Sequence, residues 1–237
     1  MLHNAKSHPH TTLKTIENQP IISCELFTNQ GYCNDVFLVK TKHHKYILRE
    51  FKDITIDRTK EYHIHTLAHQ YNITSKIINQ SQKSMLTEFL EGEHKTSLLT
   101  KEIKTLAKLL KKLHTLSYKE EPRSLMFFSD EAKDVLKTIQ KIPTQYVLSH
   151  NDLNPQNIIF NKNTIKLIDW EYSGLNDRYF DLASVCVEFV FNIKDEKVFL
   201  EAYFKDGVVC YKKLEAYKII YSLLCEEWFN ARDKSKV

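Results

Sequence analysis

The sequence predicts an α+β protein in two parts, an antiparallel β-rich first part and a mainly helical second part. Three observations predict it. Short runs of β-branched and aromatic residues, alternating with polar ones, dominate residues 21–92. Beyond Gly92 the period becomes helical, with Ile103, Leu106, Ala107, Leu110 and Leu113 on one face of a lysine-rich segment. The chain has 237 residues, 42% of them hydrophobic, enough to bury one large core or two smaller ones.

In order, residues 1–20 read as a polar N-terminal segment, 21–92 as the first lobe and 93–237 as the second. Residues 21–27 and 35–40 read as strands around a turn at Gly31, and "KYILREF" continues them as a third, so the lobe begins as an antiparallel meander. "TKEYHIHTLAHQYN" sets Ile64, Leu67 and Ala68 at helical spacing, and "SKIINQ" and "SMLTEFLEG" return to strand character. This β-β-β-α-β-β order ends at Gly92, read as a hinge. "KEIKTLAKLLKKLHTL" then forms an amphipathic helix whose lysine face is solvated.

Composition narrows the function. The net charge of +4 is spread along the chain, and no basic stretch is interleaved with aromatics, which speaks against nucleic acid as a partner. No apolar run reaches the roughly 18 residues of a membrane span. The start "MLHNAKSHPHTTLK" lacks the apolar region of a signal peptide, so the expected location is cytoplasmic. The five cysteines are odd in number and contain no C-x-x-C pair, so reduced, mostly buried thiols are expected rather than disulfides or a zinc site. With only four glycines, a G-x-G-x-x-G phosphate loop is impossible.

The densest chemistry lies in "VLSHNDLNPQNIIFNKNTIKLIDWEYSG", residues 147–174, which gathers carboxylates and amides around one hairpin. Two apolar runs flank Asn161-Lys162-Asn163, and a hairpin centred on Asn163 sets Asn157 opposite Asp169. Directly opposed residues have Cα atoms roughly 4.5–5.5 Å apart, close enough to share a hard cation such as magnesium, which leaves its remaining positions to water and phosphate oxygens. Asp152, in a loop interrupted by Pro155, suits a base aimed at a hydroxyl in phosphoryl transfer. Alone, H-x-D-x-x-x-x-N is also ordinary turn chemistry. Joined to "LIDWEY" at hairpin distance, it is more specific.

At these residues the chain resembles the choline/ethanolamine kinase and aminoglycoside phosphotransferase family, small-molecule relatives of protein kinases, and in it the bacterial LicA-type choline kinases. "HNDLNPQN" is similar to the family's catalytic loop and "IDWEYSGLNDRYFDLAS" to its metal-binding segment. The resemblance implies a bilobal protein-kinase-like fold with ATP in the cleft. It implies Asp152 as the base, His150 orienting the loop, Asn157 and Asp169 as magnesium ligands, and Glu171 supporting a second metal or its waters. "NQGYCNDVFLV", with Asn34, resembles the family's glycine-poor nucleotide loop. Arg49 in "YILREF" stands where a protein kinase carries its phosphate-holding lysine, with Glu61 as ion-pair partner; the alternative is an exposed arginine and a helix-face glutamate. In "TEFLEG", backbone groups of Glu88, Phe89 and Leu90 are implied to meet adenine. Arg178 and Asp181 read as structural, Asp181 as a cap or loop anchor.

For the acceptor, a quaternary ammonium needs aromatic faces and a carboxylate. Glu188 in "SVCVEFVFN" matches a choline-pocket acid, and "IIYSLLCEEWFNAR" carries Tyr221, Trp228 and Phe229 on a helix, Tyr221 and Trp228 sharing a face. The alternative is that these aromatics are core. Choline is the favoured small alcohol, with a thiamine or aminoglycoside kinase second. A catalytically silent nucleotide-binding scaffold is third, against which the intact Asp152, Asn157 and Asp169 argue.

Overall fold

The computed structural model describes residues 13–28, 34–52, 56–122, 130–162 and 164–234, without the side chains of residues 229 and 231–234. Gly31, Cys33, the hairpin centre Asn163 and the side chain of Phe229 lie outside the described residues. The chain divides into two compact units, Met1–Glu91 and Gly92–Val237.

The first unit opens with a short ribbon of β1 (Thr15–Ile16) and β2 (Gln19–Pro20). There follow β3 (Ser23–Thr28), β4 (Asn34–Lys40), β5 (Lys45–Phe51), helix α1 (Arg58–Gln70), β6 (Ile77–Gln80) and β7 (Ser84–Glu88), the strands forming one antiparallel sheet in the order β3-β4-β5-β7-β6. Period-two alternation explains its core. Phe37 and Val39 face Leu48 and Tyr46 across β4 and β5, and all four are buried with Leu86. Ile16 joins this cluster and Leu13 packs against it, so part of the segment read as a polar N-terminal stretch supplies core. Asp57 starts α1 by accepting the N–H groups of Thr59 and Lys60 at 3.0 and 3.2 Å.

The second unit contains α2 (Thr100–Leu113), α3 (Asp130–Ile139), β8 (Tyr146–Ser149), a 3₁₀ turn (Pro155–Asn157), β9 (Ile158–Asn161), β10 (Thr164–Leu167), β11 (Gly174–Asp177), α4 (Arg178–Glu188), α5 (Ile193–Phe204) and α6 (Tyr211–Lys234). The five apolar residues predicted for α2 are its buried ones, and through them it packs against α5. Helices α4 and α3 both pack against α6. No helix among the described residues is long and apolar enough to cross a membrane.

Gly92 opens this unit with φ +153°, and a Cβ there would stand 2.6 Å from both Ile159 Cγ2 and the Phe160 carbonyl oxygen. The next residue, Glu93, exchanges both backbone hydrogen bonds with Phe160, each at 2.9 Å. Glycine is therefore required by backbone approach as well as by conformation. Of the four described cysteines, all free, only Cys186 is buried; Cys24, Cys210 and Cys225 are partly exposed, which corrects the expectation of mostly buried thiols.

Candidate active site

The catalytic-loop segment is held between two short strands. β8 pairs with β11 in antiparallel register, Ser149 opposite Gly174, which delivers His150 and its followers beyond the end of the ribbon. Asn151 takes φ +66°, a conformation asparagine tolerates well. Its side chain is clamped on both sides: Nδ2 donates to the Tyr172 carbonyl at 3.1 Å, and Oδ1 accepts from Asn176 Nδ2 at 2.8 Å.

Asp181, in the first turn of α4, is fully buried and anchors the loop. Its Oδ2 accepts the N–H of His150 at 2.8 Å and its Oδ1 that of Asn151 at 2.9 Å. The loop-anchor reading of Asp181 therefore matches the geometry, while the helix cap is Asp177, which accepts from the Tyr179 N–H at 3.0 Å. His114, which follows α2, completes the anchor with Nε2 at 3.0 Å from Asp181 Oδ2 and Nδ1 at 2.6 Å from the Tyr203 hydroxyl. Burial works to raise the Asp181 carboxyl, but the hydrogen bond and charge of His114, with the contributions of His150, outweigh it and hold it below the ordinary aspartate value. Sequence reasoning missed His114. The visible signal was a lone polar residue at the end of an apolar helix face. Asp177 forms a buried ion pair with Lys213, whose Nζ also donates to the Pro143 carbonyl at 2.8 Å.

His150 is fully buried, with Nε2 3.0 Å from the Ile168 carbonyl and its ring 4.7 Å from that of Trp170. A carbonyl only accepts, so Nε2 carries the proton and Nδ1, buried without a hydrogen-bond partner among the described residues, is a bare acceptor. Burial lowers the pKa of the ring and keeps it neutral. This geometry ties the loop to the end of β10 at Ile168 and does not suit a proton shuttle.

Asp152 receives donors from two amides. Asn154 Nδ2 donates to Oδ1 at 3.1 Å, and Asn157 Nδ2 donates to Oδ2 at 2.7 Å and to the backbone carbonyl at 2.9 Å. Burial raises its carboxyl above the ordinary value, the amides of Asn154 and Asn157 pull it back, and the charge of Glu171 pushes it up again.

The hairpin register corrects one expectation. Asn161 pairs with Thr164 and Ile158 with Leu167, one residue tighter than a hairpin centred on Asn163. Two residues connect the strands, and Lys162 takes the positive φ, +45°, that such a turn demands. Ile168 N–H donates to the Asn157 carbonyl at 3.0 Å, so Asn157 stands opposite Ile168 and not Asp169. Asp169 follows with φ +66°, leaving the strand's alternation.

Among the described residues no three His, Cys, Asp or Glu side chains are grouped as a metal cage. Magnesium needs no such cage, since one or two carboxylates with water and phosphate suffice. Asn157 fits: because its amide nitrogen is spent on Asp152, its amide oxygen is the atom turned away from that carboxylate. That oxygen is one a hard cation could take.

Among the residues expected to line an acceptor site, the Tyr221 hydroxyl donates to Glu188 Oε1 at 2.8 Å, and the Tyr221 ring stands edge-on to Phe180 at 5.9 Å. Burial raises the Glu188 carboxyl, the Tyr221 hydrogen bond lowers it and the charge of Asp152 raises it. Trp228 lies on α6, two turns beyond Tyr221 and partly buried.

In the first unit, Arg49 Nη1 donates to Glu61 Oε1 at 2.5 Å, with Glu61 1% and Arg49 9% exposed. That removes the exposed-pair alternative. Arg58, missed in the sequence, donates from Nη1 to Glu61 Oε2 at 2.6 Å and from Nη2 to Asn34 Oδ1 at 3.3 Å. Burial would raise the Glu61 carboxyl, but the two guanidiniums hold it below the ordinary glutamate value. At the end of β7 the N–H groups of Glu88 and Phe89 donate to the carbonyls of Lys76 and Lys45 at 3.0 and 3.1 Å. Those two N–H groups, among the backbone groups expected to meet adenine, are thus engaged within the protein.

Comparison with known proteins agrees with this architecture. A family model described as choline/ethanolamine kinase matches residues 120–217. A LicA homologue of Metamycoplasma hominis is 30% identical over 226 residues, covering 87% of this chain and 88% of its own. The crystal structure of the choline kinase LicA from Streptococcus pneumoniae superposes with a TM-score of 0.78 at 22% identity, over 91% of this chain and 86% of that one. That of a macrolide 2′-phosphotransferase from Brachybacterium faecium gives 0.67 at 14% identity, over 86% and 85%. The shared fold thus spans quite different acceptors. With a relative at this identity over nearly the whole length, the chain belongs to the choline/ethanolamine kinase family, is LicA-like within it, and is a small-molecule kinase of α+β, protein-kinase-like fold.

Proposed function

We propose that the protein transfers a phosphoryl group from ATP, with magnesium, to the hydroxyl of a small amino-alcohol, most simply choline. The observation that carries this reading is the constellation of Asp152, a carboxylate oriented by Asn154 and Asn157, together with Glu188 hydrogen-bonded to Tyr221. Asp152 accepts the proton of the acceptor hydroxyl, and its raised basicity suits that task. His150, neutral and buried, keeps the loop in register with Ile168. Asn157 and Asp169 would hold the magnesium and Glu171 its waters or a second ion; when bound, the metal neutralises charge on the transferring phosphoryl. Arg49 faces the phosphates with Glu61 behind it, Asn34 belongs to the nucleotide loop, and Glu88, Phe89 and Leu90 offer backbone to adenine.

Choline is favoured because Glu188 provides one carboxylate beside the aromatics Tyr221 and Trp228, a composition suited to an ammonium that cannot donate hydrogen bonds. The similar Streptococcus pneumoniae protein being a choline kinase supports the same reading. ATP consumption measured over choline, ethanolamine, thiamine and aminoglycosides, with product identified by mass, tests it. Choline is expected to give the highest kcat/KM, and Asp152→Asn to lower kcat by roughly 10²–10⁴-fold. Preference for an aminoglycoside or thiamine would replace choline, and full activity in Asp152→Asn would end the assignment of the base.

A further inference from the structure

We propose that Arg58 is a positioning residue for the nucleotide: it occupies the second oxygen of Glu61 and so sets the carboxylate against which Arg49 is aimed. The inference rests on the reading of Arg49 as the phosphate-facing arginine. Glu61 is a single buried carboxylate with one guanidinium on each oxygen, Arg49 on Oε1 at 2.5 Å and Arg58 on Oε2 at 2.6 Å. Arg58 is itself held on three sides. Its Cζ lies 3.9 Å from the Phe51 ring centroid, its Nη2 donates to Asn34 Oδ1 at 3.3 Å, and its backbone begins the helix that Asp57 caps. It therefore ties together the start of β4, the end of β5 and the first turn of α1. Asn34, Arg49, Arg58 and Glu61 are each at most 9% exposed.

The consequence follows from geometry and charge. A guanidinium fork matches both oxygens of a carboxylate, and a Glu61 with a vacant Oε2 would compete for more of Arg49. Arg58 takes that oxygen. The three ionised side chains then carry one net positive charge, which an anion such as a triphosphate meets through Arg49. Lysine at position 58 would keep the charge, but a point charge cannot bond Glu61, reach Asn34 and stack on Phe51 together.

The test uses the full chain and magnesium-ATP as the probe. ATP affinity by calorimetry, kcat, KM for ATP and for the acceptor, and melting temperature are compared among Arg58→Ala, Arg58→Lys, Arg49→Ala and the double variant Arg49→Ala/Arg58→Ala. Arg58→Ala is expected to weaken ATP binding by about tenfold, with a smaller change in kcat and an unchanged acceptor KM, and Arg58→Lys to recover part of the loss. In the Arg49→Ala background the same change should add little, since it acts through Arg49. Undiminished ATP affinity in Arg58→Ala, or in Arg58→Lys if the alanine variant does not fold, overturns the proposal, as does a full additive effect in the double variant. If Arg49→Ala itself leaves ATP affinity unchanged, the phosphate reading of Arg49 falls and takes the proposal with it. If Arg49→Ala weakens ATP and Arg58→Ala does not, only the proposal is lost.

Discussion

Asn157 donates its amide nitrogen twice to Asp152, to Oδ2 at 2.7 Å and to the backbone carbonyl at 2.9 Å. One side chain thereby aims the carboxylate and turns its own oxygen outward. Asn157→Asp keeps an oxygen for a cation but loses the donor, and sets a second negative charge beside Asp152. The expected outcome is a fall in kcat of roughly ten- to hundredfold, the weight of a charged hydrogen bond of about 1.5–3 kcal/mol. Steady-state kinetics at saturating ATP and magnesium measure it, and near-native kcat would show that the donor is dispensable.

Asp169 sits at φ +66°, which asparagine tolerates and alanine does not. Asp169→Asn is therefore the cleaner removal of charge. It should keep its melting temperature while turnover drops by about a thousandfold, corresponding to about 4 kcal/mol of lost charge stabilisation through the metal. Asp169→Ala should lose the same activity and in addition roughly 1–2 kcal/mol of stability. Magnesium-dependent turnover retained in Asp169→Asn would remove Asp169 from the metal site.

Glu188 is raised above the ordinary glutamate value of 4.5, chiefly by burial. Folding thus favours its neutral form relative to the unfolded chain: the stability linked to it is present below the unfolded pKa and lost as pH rises through the folded one. A cationic acceptor reverses this by binding the ionised form, so acceptor KM should climb as pH falls toward and below the Glu188 pKa, and Glu188→Gln should flatten the profile. Trp228→Ala should raise the KM for choline by up to about thirtyfold, the upper end of one cation–π contact, and that for ethanolamine less. Equal losses for both alcohols together with a collapsed melting temperature would mark Trp228 as core.

Asp181 has its pKa depressed, so its contribution to stability is present above the unfolded pKa and lost as pH falls through the folded one. Acid unfolding should begin at lower stability in Asp181→Asn, which at neutral pH is expected to lose about 3–5 kcal/mol, since His114 and two backbone N–H groups are left without their carboxylate. Chemical denaturation at neutral and acidic pH compares the two proteins. An unchanged midpoint would mean that the loop is held by other contacts.

By itself the sequence determined the β-β-β-α-β-β order of residues 21–92, the buried face of α2 and the motif from His150 to Glu171, because alternation, helical period and turn chemistry are properties of neighbouring residues; the β1–β2 ribbon, α3, β8, β11 and α5 were not legible in it. "HNDLNPQN" and "IDWEY" were legible for the same reason: their members lie within a few residues of one another. Tertiary structure alone decided the rest. The hairpin slid one residue from its expected register because a left-handed Lys162 allows a two-residue connection, a choice that the polar turn residues leave open. Arg58 and Asn34 meet across 24 residues, His150 and Asp181 across 31, and His114 and Asp181 across 67. No local pattern encodes such pairs, since a lone arginine, histidine or aspartate reads as surface until packing buries it and forces it to find a partner.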